Sequence, residues 1–166
     1  MISATDGWAV GNALAAPIPA NQRWTFLRWN IPAANTWNRL LVTTVGTNAV
    51  TLNSVNMISA TDGWTVGNRI AAAPNGWTVL RWNTPILNTW NRVVVTTPGV
   101  GAQNLQEVTC IHANDCWAVG YAGARLHWDG AAWAAVVAPA VAQNLFSVSM
   151  IGARLRPQAA WQEDFQ

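Results

Sequence analysis

Lysine is missing from this 166-residue chain, and all nine basic residues are arginine. Exclusive arginine use fits codon bias in a GC-rich genome. Seven acidic residues leave a net charge of only +2. The arginines are scattered, so the basic stripe that tracks a phosphate backbone is absent and a nucleic-acid partner is excluded. Charged residues make up 10% of the chain, against roughly a quarter in an average soluble domain. Hydrophobic residues make up 51%, which excludes disorder. A surface this poor in charge is expected to meet something, another copy of the chain included. Long apolar runs are missing too. The longest, Ala131 to Ala142, is short and contains Pro139, so no transmembrane segment is expected. No signal peptide is visible, because Met1 opens directly onto repeat sequence. A natural start further upstream, or a truncated reading frame of a longer protein, stays open as an expectation. There are two cysteines and one tyrosine.

Against these absences stand twelve tryptophans. Their placement follows a repeat. The string MISATDGW at Met57–Trp64 also stands letter for letter at Met1–Trp8, and a variant, CIHANDCW, runs from Cys110 to Trp117. Leucines at 52, 105 and 145 mark units spaced by 53 and 40 residues. The chain divides into units at approximately 1–51, 52–104 and 105–144, then an orphan run LFSVSM at 145–150. A divergent tail, 151–166, is expected to be poorly ordered or a short irregular cap. Each unit carries four short runs rich in Val, Trp, Leu and Thr, separated by turn residues such as Asp62-Gly63, Asn75-Gly76 and Asp129-Gly130. That is the pattern of short antiparallel strands. Alternation supports it, with Val55 and Met57 on one face and Trp64 and Val66 on one face. Four strands per unit of about 40 to 50 residues match one β-propeller blade. The expected fold is all-β, with about three four-stranded antiparallel blades over residues 1–150.

The order L-x-S-V-x-M, D-G-W-x-V-G, R-W-N or H-W-D-G, then T-W or A-W resembles bacterial propeller repeats of the photosystem II stability/assembly-factor and Asp-box type. The resemblance implies that these runs are the first (innermost) to fourth (outermost) strands of a blade. Asp129-Gly130-Ala131-Ala132-Trp133 resembles a degenerate Asp-box turn. The first two units depart from it, since Asn83 to Trp90 carries three more residues than Asp129 to Trp133 and includes Pro85. Propellers host many functions, so the resemblance speaks to fold more than to task.

Nine tryptophans sit at matching positions in three units: Trp8, Trp29, Trp37; Trp64, Trp82, Trp90; and Trp117, Trp128, Trp133. Blade-to-blade packing is their expected role, because stacked sheets need large apolar side chains on both faces. Trp24 and Trp77 lie in the longer connections between second and third runs and are expected to be exposed. With Arg23, Asn21 and Asn75 beside them, they are the candidate ligand-binding residues, suited to stacking on sugar rings.

Cys110 and Cys116 replace Met57 and Gly63 across a tight hairpin, which suits a disulfide. That pairing implies an extracellular or cell-envelope setting. Free thiols in a reducing cell remain an alternative. A metal site from Cys110, His112 and Cys116 lacks a fourth ligand and a recognised spacing, so no metal and no cofactor are expected. His127 takes the place of Arg28 and Arg81, a solvated or rim position rather than a general base. Asp6, Asp62 and Asp115 recur before a tryptophan and are expected to accept backbone hydrogen bonds in the turn. The sialidase arrangement of a tyrosine nucleophile and clustered arginines is not met, because Tyr121 stands in a turn and Arg28, Arg81, Arg125, Arg39 and Arg92 follow the repeat. No enzyme is expected.

Three blades fall short of the four to eight or so that close a propeller. The orphan strand is therefore expected to supply the inner strand that the first unit of another copy lacks. This head-to-tail contact gives a ring if the rotation closes and a filament if it does not. A two-chain ring of six blades is the leading expectation. The expected function is that of a self-associating structural or interaction scaffold. The alternatives are a carbohydrate- or protein-binding, lectin-like propeller, or an assembly-factor-like chaperone.

Overall fold

The computed structural model describes residues 6–15, 17–18, 23–31, 36–40, 49–70, 76–85, 89–95, 101–136 and 143–152. Asn21, Asn75 and tail residues 153–166 lie outside them. The described chain is all-β, in three antiparallel sheets. The first holds β1 (Gly7–Gly11), β2 (Thr25–Ile31) and β3 (Thr36–Leu40) in the order β1-β2-β3. The second holds β4 (Leu52–Met57), β5 (Gly63–Gly67), β6 (Thr78–Thr84) and β7 (Thr89–Arg92) in sequence order. The third repeats that order with β8 (Leu105–His112), β9 (Asp115–Gly120), β10 (Arg125–Trp128) and β11 (Trp133–Ala135). These are blade-like meanders, each strand hydrogen-bonded to the next.

The strands of the first sheet correspond to β5–β7 and β9–β11. Trp8 opposes Arg28, just as Trp64 opposes Arg81 and Trp117 opposes His127. Among the described residues no counterpart of β4 and β8 pairs with β1, which ends the sheet.

Alternation along each strand sends side chains to both faces of the blade. Two buried clusters result, one between each pair of neighbouring sheets. Their centres are two copies of one arrangement. In the first, Trp8 meets Trp82 at 4.9 Å between ring centroids and Trp90 at 5.5 Å, with interplanar angles of 58° and 82°. In the second, Trp64 meets Trp128 at 4.7 Å and Trp133 at 5.2 Å, with angles of 55° and 87°. Thus the second-strand indole of one blade is clasped by the third- and fourth-strand indoles of the next. Tilted and edge-on pairs at this separation add about 0.5–1.5 kcal/mol each to the area they bury. Phe26 adds a stacked contact with Trp90 at 4.8 Å.

Hydrogen bonds repeat with the rings. The indole N–H groups of Trp82 and Trp128 donate to the carbonyls of Ala60 and Ala113 at 3.3 and 3.0 Å. Gly67 and Gly120 end the second strands where the chain ahead of the inner strand passes closely. A Cβ at either would collide with the backbone carbonyl of Thr51 or Asn104.

Removing a fully enclosed indole leaves a cavity that neighbouring sheets cannot fill. Trp64→Ala should therefore cost about 3–5 kcal/mol of unfolding free energy in urea melts. Trp117→Ala, at the equivalent but half-exposed position, should cost clearly less.

Candidate functional site

An aspartate at or just before the start of each second strand sends its carboxylate to the third strand. Asp6 binds the Arg28 guanidinium through two bonds of 2.9 and 3.0 Å, and Asp62 binds Arg81 through two of 2.9 and 3.0 Å. This forked geometry is the strong form of a carboxylate–arginine pair. These carboxylates, expected to serve turn amides, are held by the opposing arginine, which lies within bidentate reach across the ladder. The arginines also lie over indoles. Arg28 stands 5.0 Å from the Trp8 ring, and Arg81 stands 5.0 Å from Trp64 and 5.3 Å from Trp128 of the next blade. The expected rim position is therefore a cation–π position, and at Arg81 it reaches into the next blade. In the third blade His127 takes it, 2.9 Å from Asp115 and stacked on Trp117 at 4.4 Å.

Beyond the third blade no further sheet is described, and among the described residues this face is open. Trp117, His127, Asp115 and Ile111 line a groove of about 620 Å³, with Met150 and Ile151 along its other side. Segment 143–152 lies along β8 as β8 lies along β4. Leu145 donates its N–H to the Gly120 carbonyl at 2.9 Å. The Val148 N–H donates to the Glu107 carboxylate, just as the Val108 N–H donates to Ser54 Oγ at 3.2 Å. The Ala122 N–H donates to Asn144 Oδ1 at 3.1 Å, just as the Arg69 N–H donates to Asn104 Oδ1 at 2.9 Å. The orphan run thus stands where the inner strand of a fourth blade would stand. Glu107, which has no evident partner in the sequence, positions it. Phe146 and Ile151 remain largely exposed.

The opposite end is open as well among the described residues. Trp29 and Trp37 occupy the positions of Trp82 and Trp90 and lie 5.9 Å apart. Trp37 is 44% exposed, whereas Trp82 and Trp90 are 0% exposed. One end of the stack therefore presents a lone second-strand indole, and the other presents the pair that clasps one. These three indoles carry the same motifs as the buried ones. Only the absence of a neighbouring blade marks them as surface.

Trp24 and Trp77, the candidate ligand-binding aromatics, are buried within the two inter-blade clusters. Their expected exposure is corrected. Each stands two residues before an inward residue, Phe26 or Val79, so strand alternation carries it to the same face. Arg23 instead turns its Nε to the Ile18 carbonyl at 2.6 Å. Asn75 lies outside the described residues. No group of three or more metal-binding side chains occurs among the described residues. No helix there is long and apolar enough to cross a membrane.

Cys110 and Cys116 face each other across the β8–β9 hairpin and form a disulfide. In the second blade the Met57 thioether fills the space beside Gly63 that a side chain there would take, so a bonded pair replaces a large–small pair. Tyr121 lies in a short 3-10 turn and meets Phe146 edge-on at 6.2 Å. Asp129 closes the turn between β10 and β11. Its Oδ1 accepts the N–H groups of Ala131 and Ala132 at 2.8 and 2.9 Å. Gly130 supplies the left-handed backbone (φ 96°) that this turn requires.

The closed loop is short, so breaking the disulfide with reductant should lower stability by about 2 kcal/mol, read as a shift of the urea midpoint. The amides of Ala132 and then Ala131 hold the Asp129 carboxyl below its usual 3.8. Its stabilisation is therefore complete above that pH and is lost as the pH falls through the lowered value. Asp129→Asn should remove this part of the acid dependence of the melting temperature.

No protein-family model matches this chain, and no curated protein matches it; the likeness that the structure displays is that of its own blades to one another.

Proposed function

We propose that this protein is a non-enzymatic, self-associating β-propeller scaffold whose copies join head to tail through the open ends of the blade stack. The observation that carries this reading is the complementarity of those ends, a lone Trp117 at one and the Trp29–Trp37 pair at the other. Both are halves of an indole cluster that the chain buries twice internally. Exposed tryptophans and an open sheet edge are costly in water and favour pairing. A head-to-tail contact is heterologous, so a two-chain, six-bladed ring is its closed form and a filament its open form. The Asp-box resemblance belongs to the same proposal and is supported by the Asp129 turn. An extracellular or cell-envelope setting also belongs to it, supported by the disulfide.

Light scattering on eluted protein at several concentrations tests the assembly. The expected result is twice the 17.9 kDa chain mass, or an extended polymer. A species of single-chain mass at every concentration would overturn the proposal.

A further inference from the structure

We infer that a second copy of this chain completes a fourth blade by pairing its β1 along Leu145–Met150, with its Trp29 and Trp37 closing on Trp117. The inference rests on the self-association proposed above and names the residues that perform it. It fixes a register. In the second blade the inner strand meets the second strand as Leu52 to Gly67, Ser54 to Val66, Val55 to Thr65, Asn56 to Trp64 and Met57 to Gly63. The third blade repeats this as Leu105 to Gly120, Glu107 to Val119, Val108 to Ala118, Thr109 to Trp117 and Cys110 to Cys116. Carried to the orphan run, Leu145 meets Gly11 of the second copy, Ser147 meets Val10, Val148 meets Ala9, Ser149 meets Trp8 and Met150 meets Gly7.

Three separate observations converge on this arrangement. The orphan run is already held at the inner-strand position by Glu107, Asn144 and Gly120, yet it belongs to no sheet. Gly11 is a glycine without a local reason among the described residues. Its counterparts Gly67 and Gly120 make room for the chain entering the inner strand, whereas among the described residues a Cβ on Gly11 would meet only Thr25 Cγ2, at 3.8 Å. In the joined blade, Asn144 of the neighbouring copy fills that space. Finally, strand pairing in this register brings the first blade against the third as the third lies against the second. Trp117 then receives Trp29 and Trp37 as Trp64 receives Trp128 and Trp133. His127, stacked on Trp117, enters between the rings as Arg81 does. The interface is continuous with one that the chain has already built twice.

The native disulfide supplies the design of the test, because Met150 and Gly7 occupy the positions of Cys110 and Cys116. Met150→Cys and Gly7→Cys proteins are prepared separately, mixed and oxidised. A disulfide-linked pair on non-reducing gels is expected from the mixture and not from either variant alone. Ile151→Cys with Gly7→Cys, one residue out of register, should link far less. Gly11→Val provides a second reading, because a lone chain tolerates the side chain and the joined blade does not. It should reduce the scattering mass to that of one chain while leaving the circular dichroism spectrum intact. A bond formed only within single chains of the Gly7→Cys/Met150→Cys double variant would overturn the inference in favour of closure within one molecule. A multimeric mass that survives Gly11→Val, with no Met150–Gly7 link, would overturn this register while leaving self-association standing. Single-chain mass for the unmodified protein would remove both.

Discussion

The fold depends on one recurring contact, in which an indole on the second strand of a blade is gripped by two indoles of the blade that follows. Sheets of four short strands have little interior of their own, and each must bury its faces against a neighbour. Tryptophan suits this task, because it offers a large apolar area and strong preferences for tilted and edge-on contact. The two buried clusters agree to within 0.3 Å in the distances from the gripped ring, 4.9 and 5.5 Å against 4.7 and 5.2 Å. They do so although the loops around them differ in length. The contact, rather than the connections, sets the spacing of the stack.

Polar side chains align what the indoles hold together. The forked Asp62–Arg81 pair ties second strand to third within a blade, while the same guanidinium lies over a ring of the next. Asn53 donates to Leu105 across the blade boundary at 2.6 Å, and Ser54 Oγ receives the Val108 amide. Such bonds add little net stability each, about 1 kcal/mol. They penalise sliding, because a shifted sheet would leave its donors without acceptors.

Much of this was legible in the letters. The repeat, the strand count per unit and the packing of the six enclosed cluster tryptophans follow from the spacing of Leu52 and Leu105 and from alternation. The pairing of Cys110 with Cys116 follows from the Met57–Gly63 correspondence. Other features were hidden by how strands work. Trp24 and Trp77 sit in connections by sequence, yet they share the parity of Phe26 and Val79 and are drawn inside. The partners of Asp6 and Asp62 lie 22 and 19 residues away, a separation that only the ladder brings together. The status of Trp29, Trp37 and Trp117 was the least legible of all. Corresponding motifs are core in the middle of a stack and surface at its ends, and a local pattern does not count its neighbours.

The bond between Cys110 and Cys116 is present in one blade of the three. It tethers the hairpin beside the orphan run, whereas the blade at the far end has three described strands and no covalent tie. In a linear array, where each unit leans only on those adjacent, such asymmetry gives unravelling a direction. Fraying starts at the untied end and advances toward the stapled one, so the stack has a built-in polarity of opening.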